Sequence, residues 1–111
     1  MPIDLGGLVE SIKQAATAEI GKDVTLFRGY AENQLQAIAQ QSVYVAQGIA
    51  DGSITANTRD YFLDSIEEMV RSFLNVLVGL VAVVVEKVWN AIVKAIWDAI
   101  NQATGLALMV P

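Results

Sequence analysis

The sequence predicts an all-α protein: a helical hairpin with one very long C-terminal helix, completed into a helical bundle by self-association. Between residues 57 and 103, apolar residues recur every three or four positions, the spacing of one helix face. No polar side chain interrupts the segment 76–85, so a helix there must be buried on every side. The 111-residue chain is 54% hydrophobic and 17% charged, which is more apolar than a small core requires.

The first predicted helix covers residues 5–20. Asp4 is a suitable N-cap, because its carboxylate can accept hydrogen bonds from the free amides of the first turn. Ile3 and Leu8 can pack together as a hydrophobic staple across this cap. Gly21 suits the C-cap, where the left-handed conformation costs a glycine little.

The second predicted helix covers residues 24–50, with Asp23 as its N-cap. Its apolar face consists of Phe27, Ala31, Leu35, Ile38, Val45 and Ile49. Ser42 interrupts this face but is small enough to lie against a neighbouring backbone. The sequence Asp51-Gly52-Ser53 then predicts a turn.

The third predicted helix covers residues 57–103 and ends at a Gly105 C-cap, before an apolar tail at 106–111. At about 1.5 Å per residue, the second helix would be roughly 40 Å long and the third roughly 70 Å. The second helix would then cover the third only to about Ala82. The whole chain, residues 1–111, is expected to form this single all-α domain.

A hairpin of two layers cannot surround a helix that is apolar on all sides. The further helices could come from a second copy of the chain, which would make the protein a homo-oligomer. A kink near Gly79 that folds the third helix back on itself is the intrachain alternative. We favour the uninterrupted helix, because a single glycine lowers helix propensity without enforcing a break.

The expected interface of the homo-oligomer is the apolar face of the third helix. Its residues are Phe73, Leu77, Leu80, Val81, Val84, Val88, Trp89, Ile92 and Ile96. Val81→Asp is expected to destabilise the assembly by several kcal/mol, because it would bury an unpaired charge.

Composition excludes several classes of function. The chain has no Cys and no His, which excludes disulfides, thiol nucleophiles and the usual zinc sites, and removes the commonest general base. Its net charge is −5 and its basic residues are scattered singly, so nucleic acid is not an expected partner. Asp60, Asp64 and Glu67 share a helix face that could hold a hard cation, but a solvated helix start is the preferred interpretation. We expect no enzymatic activity, no cofactor, no metal site and no small-molecule substrate.

The sequence therefore predicts a non-enzymatic structural or assembly protein whose partner is a second copy of itself. The chain is short, rich in Ala and Val and without Cys or His, and this character is similar to that of small phage structural or membrane-active proteins, although no motif carries the similarity. No signal peptide is evident, so a cytoplasmic or virion-associated location is expected.

The alternative is a membrane-active protein, such as a holin, a pore former or a virion membrane component. It would insert residues 73–93 in lipid, with Trp89 and Trp97 at the membrane interface. That segment contains Glu86 and Lys87, and charges at such depth are unfavourable. We therefore favour burial in protein over burial in lipid.

Overall fold

The protein is all-helical, as its sequence predicts. A computed structural model describes residues 3–108, so Met109, Val110 and Pro111 of the predicted apolar tail lie outside the described residues. The helices are α1 (Leu5–Ile20), α2 (Glu32–Asp51), α3 (Arg59–Asn75) and α4 (Ala82–Thr104). A 3-10 turn at Val24–Leu26 lies between α1 and α2.

Helix α1 has the predicted bounds and the predicted caps. The Asp4 carboxylate accepts a hydrogen bond from the Gly7 amide at 2.9 Å. Gly21 ends the helix in the left-handed region, with φ of 76°, and its amide donates to the Thr17 carbonyl. Local sequence alone therefore determines both ends of this helix, because each cap uses only neighbouring residues.

Helix α2 begins at Glu32, and the prediction that it begins at residue 24 is wrong. The Asp23 carboxylate accepts from the Thr25 amide, but it caps only the 3-10 turn. Gly29 has a φ of 92°, a left-handed conformation that an α-helix cannot contain. Further along α2, Ser42 is fully buried as expected, and its hydroxyl donates to the Ile38 carbonyl.

The single long helix predicted over residues 57–103 is also wrong, because the chain reverses between α3 and α4. Gly79, in this turn, has a φ of 101°. The Val78 amide donates to the Arg28 carbonyl at 2.8 Å instead of to a helical carbonyl. The fold-back at Gly79 is therefore the observed arrangement, and a contact with a distant loop accompanies it.

The four helices form an up-down-up-down bundle within one chain. Helix α1 packs on α2 and α4, α3 packs on the same two helices, and α2 also contacts α4. Each helix contributes fully buried side chains to a common core, including Ile12, Leu35, Ile66 and Ile92. A single chain thus supplies four helices that we expected two copies to share.

The two ends of the bundle carry different parts of the chain. The loops 21–31 and 76–81 meet at one end, here called the loop end, where Arg28 and Val78 share their backbone hydrogen bond. At the other end lie the loop 52–58 and both described termini. There Ile3 lines the same cleft as Ala50 and Ala103.

We expect two glycine-to-alanine variants to separate backbone strain from contact between the loops. An added Cβ at Gly29 would lie 1.9 Å from the Val76 carbonyl oxygen, whereas nothing lies within 4 Å of one at Gly79. Both variants should lose about 1–2 kcal/mol of unfolding free energy, because both glycines have positive φ. Gly29→Ala should lose about 1–3 kcal/mol more, since a backbone must move. Urea unfolding measures both losses, and equal values would contradict the importance of the loop contact.

Candidate functional site

The structure divides the nine predicted interface residues into three groups. Five are buried in the core of the single chain, where a second chain cannot reach them in this fold: Phe73, Leu77, Val88, Ile92 and Ile96. Three pack partly against that core: Leu80, Val84 and Trp89. Val81 is 60% exposed and is thus the member most accessible to another molecule.

Exposed aliphatic side chains are concentrated at the loop end. We call them the loop-end patch: Leu26, Val76, Val78, Val81 and Val83, each between 46% and 71% exposed. The described chain exposes eight large hydrophobic residues in all, and the other three lie on helices away from these loops: Leu5, Tyr44 and Tyr61. The exposed parts of the patch amount to about three whole side chains, so removing them from water would gain about 4–9 kcal/mol.

Of the five patch residues, only Val81 is among the interface residues predicted from sequence. The apolar run at 76–85 includes four of the five patch residues, but it was predicted to be a buried helix. In the structure its first half is a turn, and a turn on the surface cannot bury all of its side chains. Leu26 was missed for a different reason, since residue 26 was placed within a helix.

Val81 occupies a position where a polar residue would stabilise the fold. It is the N-cap of α4, with φ of −85° and ψ of 157°, and no side chain caps the free amides of this helix start. Ser, Thr, Asp or Asn at an N-cap stabilises a helix by about 1 kcal/mol relative to an apolar residue. The chain therefore exposes a valine at this position in place of a stabilising cap.

A tyrosine supports the loop end from below. The Tyr30 ring packs edge-on against Phe73, with ring centroids 5.9 Å apart, and its hydroxyl donates to the Glu32 carboxylate. The Lys13 ammonium of α1 lies 3.0 Å from the same carboxylate. Burial and the bond to Glu32 raise the pKa of Tyr30, while the bonds from Tyr30 and Lys13 lower the pKa of Glu32. This network joins α1, α2 and α3 beneath the patch.

The hairpin of α3 and α4 is fastened on its outer side. The Trp89 indole N–H donates to the Glu67 carbonyl at 3.2 Å. The Arg71 guanidinium lies 4.9 Å from the centre of the Trp89 ring and 2.6 Å from the Glu86 carboxylate. These contacts connect the two helices below their shared turn.

Two clefts of the described chain are lined mainly by apolar side chains. One of about 410 Å³, at the end opposite the patch, is lined by Ile3, Val43, Ala46, Gln47, Ala50, Asp51 and Ala103. Its carboxylate, Asp51, already accepts hydrogen bonds from the Ser53 amide and hydroxyl. A second cleft of about 260 Å³ is lined by Gln41, Tyr44, Val45, Ile54 and Phe62. Neither cleft brings together a nucleophile and a base.

The possible cation ligands predicted from sequence, Asp60, Asp64 and Glu67, lie in the first half of α3. Within residues 3–108, no group of three or more acidic side chains is arranged to hold a metal ion. Burial raises the pKa of Glu67, and the charges of Asp64 and Glu68 raise it further. These carboxylates therefore repel one another on the surface of α3.

The membrane-spanning alternative was tested against the helices of residues 3–108. None of them is both long enough and apolar enough to cross a bilayer. Comparison with models of protein families, with curated proteins and with solved structures finds no match to this chain.

We expect Val81→Asp to stabilise the protein, which reverses the expectation from sequence. Val81 is exposed at a helix N-cap, so an aspartate there should raise the unfolding free energy by about 1 kcal/mol. Val88→Asp is the matched control, because Val88 is fully buried and its replacement should cost about 3 kcal/mol or more. Chemical unfolding measures both; a large loss for Val81→Asp would mean that Val81 is buried.

We expect Glu32→Gln to lower stability at neutral pH more than in acid. A carboxylate with a lowered pKa contributes stability above its ordinary value of 4.5, and this contribution is lost as the pH falls through the lowered value. Unfolding free energies should therefore differ from those of the parent at pH 7 and converge once the pH falls below the lowered pKa of Glu32. Glu19→Gln removes the same charge from an exposed site on α1 and serves as control. A difference independent of pH would contradict a role for the Glu32 charge.

Proposed function

We propose that this protein is a non-enzymatic attachment protein that acts by docking its loop end on another apolar surface. One observation carries the proposal: five of the eight exposed large hydrophobic residues of the described chain lie on the two neighbouring loops and the first turn of α4. Monomeric proteins rarely expose a contiguous apolar patch larger than a few hundred Å², and the largest patch on a monomer is often functional. Val81 strengthens the argument, because its exposure replaces a cap that would stabilise α4.

The support beneath the patch is consistent with docking. Gly29 lies against the Val76 backbone, and the Arg28 carbonyl accepts a hydrogen bond from the Val78 amide, so the two loops stabilise each other. Docking would therefore order few additional groups. A surface that is already in its bound shape binds more tightly than one that must be ordered on binding.

Self-association remains one form of this proposal. The residues predicted to join two copies are largely used within a single chain, including Phe73, Ile92 and Ile96. The loop-end patch is the apolar surface that a second copy would meet. Self-association would then join bundles that are already complete, instead of completing them.

We expect the loop end to govern the binding of this protein to apolar surfaces. Val78→Ser combined with Val81→Asp, here called the loop variant, should weaken retention on a butyl or phenyl chromatography matrix. Tyr44→Ser combined with Tyr61→Ser, the aromatic control, removes two exposed rings elsewhere and should change retention less. Thermal melting checks that both variants fold.

Two results would count against the proposal. Equal loss of retention in the loop variant and the aromatic control would mean that the loop end binds the matrix no better than other exposed apolar side chains do. Retention that survives in the folded loop variant would place the apolar contact elsewhere on the bundle.

A further inference from the structure

We infer that the surface on which the loop end docks is a lipid membrane, into whose interface the loop dips without crossing the bilayer. This inference rests on the proposed function and names its partner. It concerns shallow insertion of a turn and differs from the spanning helix considered from sequence. Three features of the described chain lead to it: the area of the loop end, its backbone hydrogen bonds and the distribution of charge.

The apolar area of the loop end is too small for a stable contact with a second copy. The exposed parts of the patch amount to about three whole side chains, or roughly 200–400 Å² at about 25 cal/mol per Å². A stable, specific protein interface needs about 800 Å² from each partner. Two copies meeting end to end would fall short of that area. A lipid surface imposes no such threshold, because it needs no matching shape and gains from each apolar side chain inserted.

The backbone of the turn limits how deep it can go. The Leu77 amide donates to the Leu74 carbonyl, and the Val78 amide donates to Arg28. At the start of α4, the Val81 carbonyl accepts from Val84 and Val85. These groups can leave water without losing hydrogen bonds, but the uncapped amides of α4 cannot. Insertion should therefore stop near the headgroups.

Charge on the bundle favours this end over the other. Four basic and four acidic residues lie on the two loops and the helix turns beside them, so the loop end is neutral. The basic residues are Lys22, Arg28, Arg71 and Lys87, and the acidic residues are Glu19, Asp23, Glu32 and Glu86. The remaining three basic and eight acidic residues give the rest of the chain its whole net charge of −5. Lipid phosphates would repel the rest of the bundle and not the loop end, which orients the docking.

Flotation with lipid vesicles tests the inference on the full chain. The parent protein, the loop variant and the aromatic control are each mixed with vesicles of phosphatidylcholine, alone or with phosphatidylglycerol, at low and high salt. The parent should float with both kinds of vesicle, half bound at about 0.1 mM accessible lipid, the strength that one myristoyl chain provides. The loop variant should bind at least about tenfold more weakly, and the aromatic control should match the parent.

A tryptophan introduced at position 78 measures the depth of insertion independently of flotation. In Val78→Trp, the added fluorescence should shift to the blue with vesicles and be quenched by lipids brominated near the headgroup more than by lipids brominated deep in the chain. The parent, which contains only Trp89 and Trp97, is the reference for this change. Quenching from the bilayer centre would contradict shallow insertion.

Other outcomes would overturn the inference in distinguishable ways. No flotation up to about 10 mM lipid, with loop-dependent retention on the apolar matrix intact, would reject lipid as the partner and leave the attachment function standing. Light scattering would then show whether the loop end joins copies of this chain into multiples of 11.9 kDa. Flotation only with phosphatidylglycerol, abolished by salt and unchanged in the loop variant, would be surface adsorption and would reject insertion of the loop end in lipid. The attachment function would then be decided by the retention of the loop variant on the apolar matrix.

Discussion

The fold depends on the contact between its two neighbouring loops. Gly29 approaches the Val76 carbonyl closely enough to exclude any side chain at position 29. The Arg28 carbonyl accepts a hydrogen bond from the Val78 amide. With this contact in place, α3 and α4 lie side by side and fill the core with one chain. A continuous helix through Val76 could not make this contact, because the Val78 amide would donate within the helix. Together with the core packing of α3 on α4, this tertiary contact favours the folded-back arrangement that helix propensity leaves undecided.

The sequence predicts the helical class and the bounds of α1, because periodicity and local caps determine them. It fails at residues 24–31 and 76–81, where Gly29 and Gly79 adopt positive φ and the two loops share a backbone hydrogen bond. A kink near Gly79 was the alternative prediction, and the uninterrupted helix was preferred to it. The candidate site was found only at Val81, because an apolar segment was assumed to be buried. That assumption holds for a helix and does not hold for a turn.

Stability and exposure oppose each other at the start of α4. The helix has a valine at its N-cap and no acidic residue in its first turn. A polar N-cap or an acidic residue in that turn would stabilise the helix. In contrast, α1 carries Asp4 at the equivalent position. Helices α2 and α3 also lack a side-chain cap, at Ala31 and Thr58, so α1 alone among the four helices of the described chain has one. Val81 differs in its exposure, because the side chain at this helix start is apolar and 60% exposed.

The placement of the chain ends has a practical consequence. Ile3 and Leu108 lie at the opposite end of the bundle from the two loops, and the bundle is 41 Å long. An affinity tag, a fluorophore or a fused domain joined beyond either residue would stand a full molecular length from the loop end. The protein can thus be immobilised or labelled through either terminus with Val78 and Val81 still facing outward. The bundle therefore offers an attachment point at one end and the loop-end patch at the other.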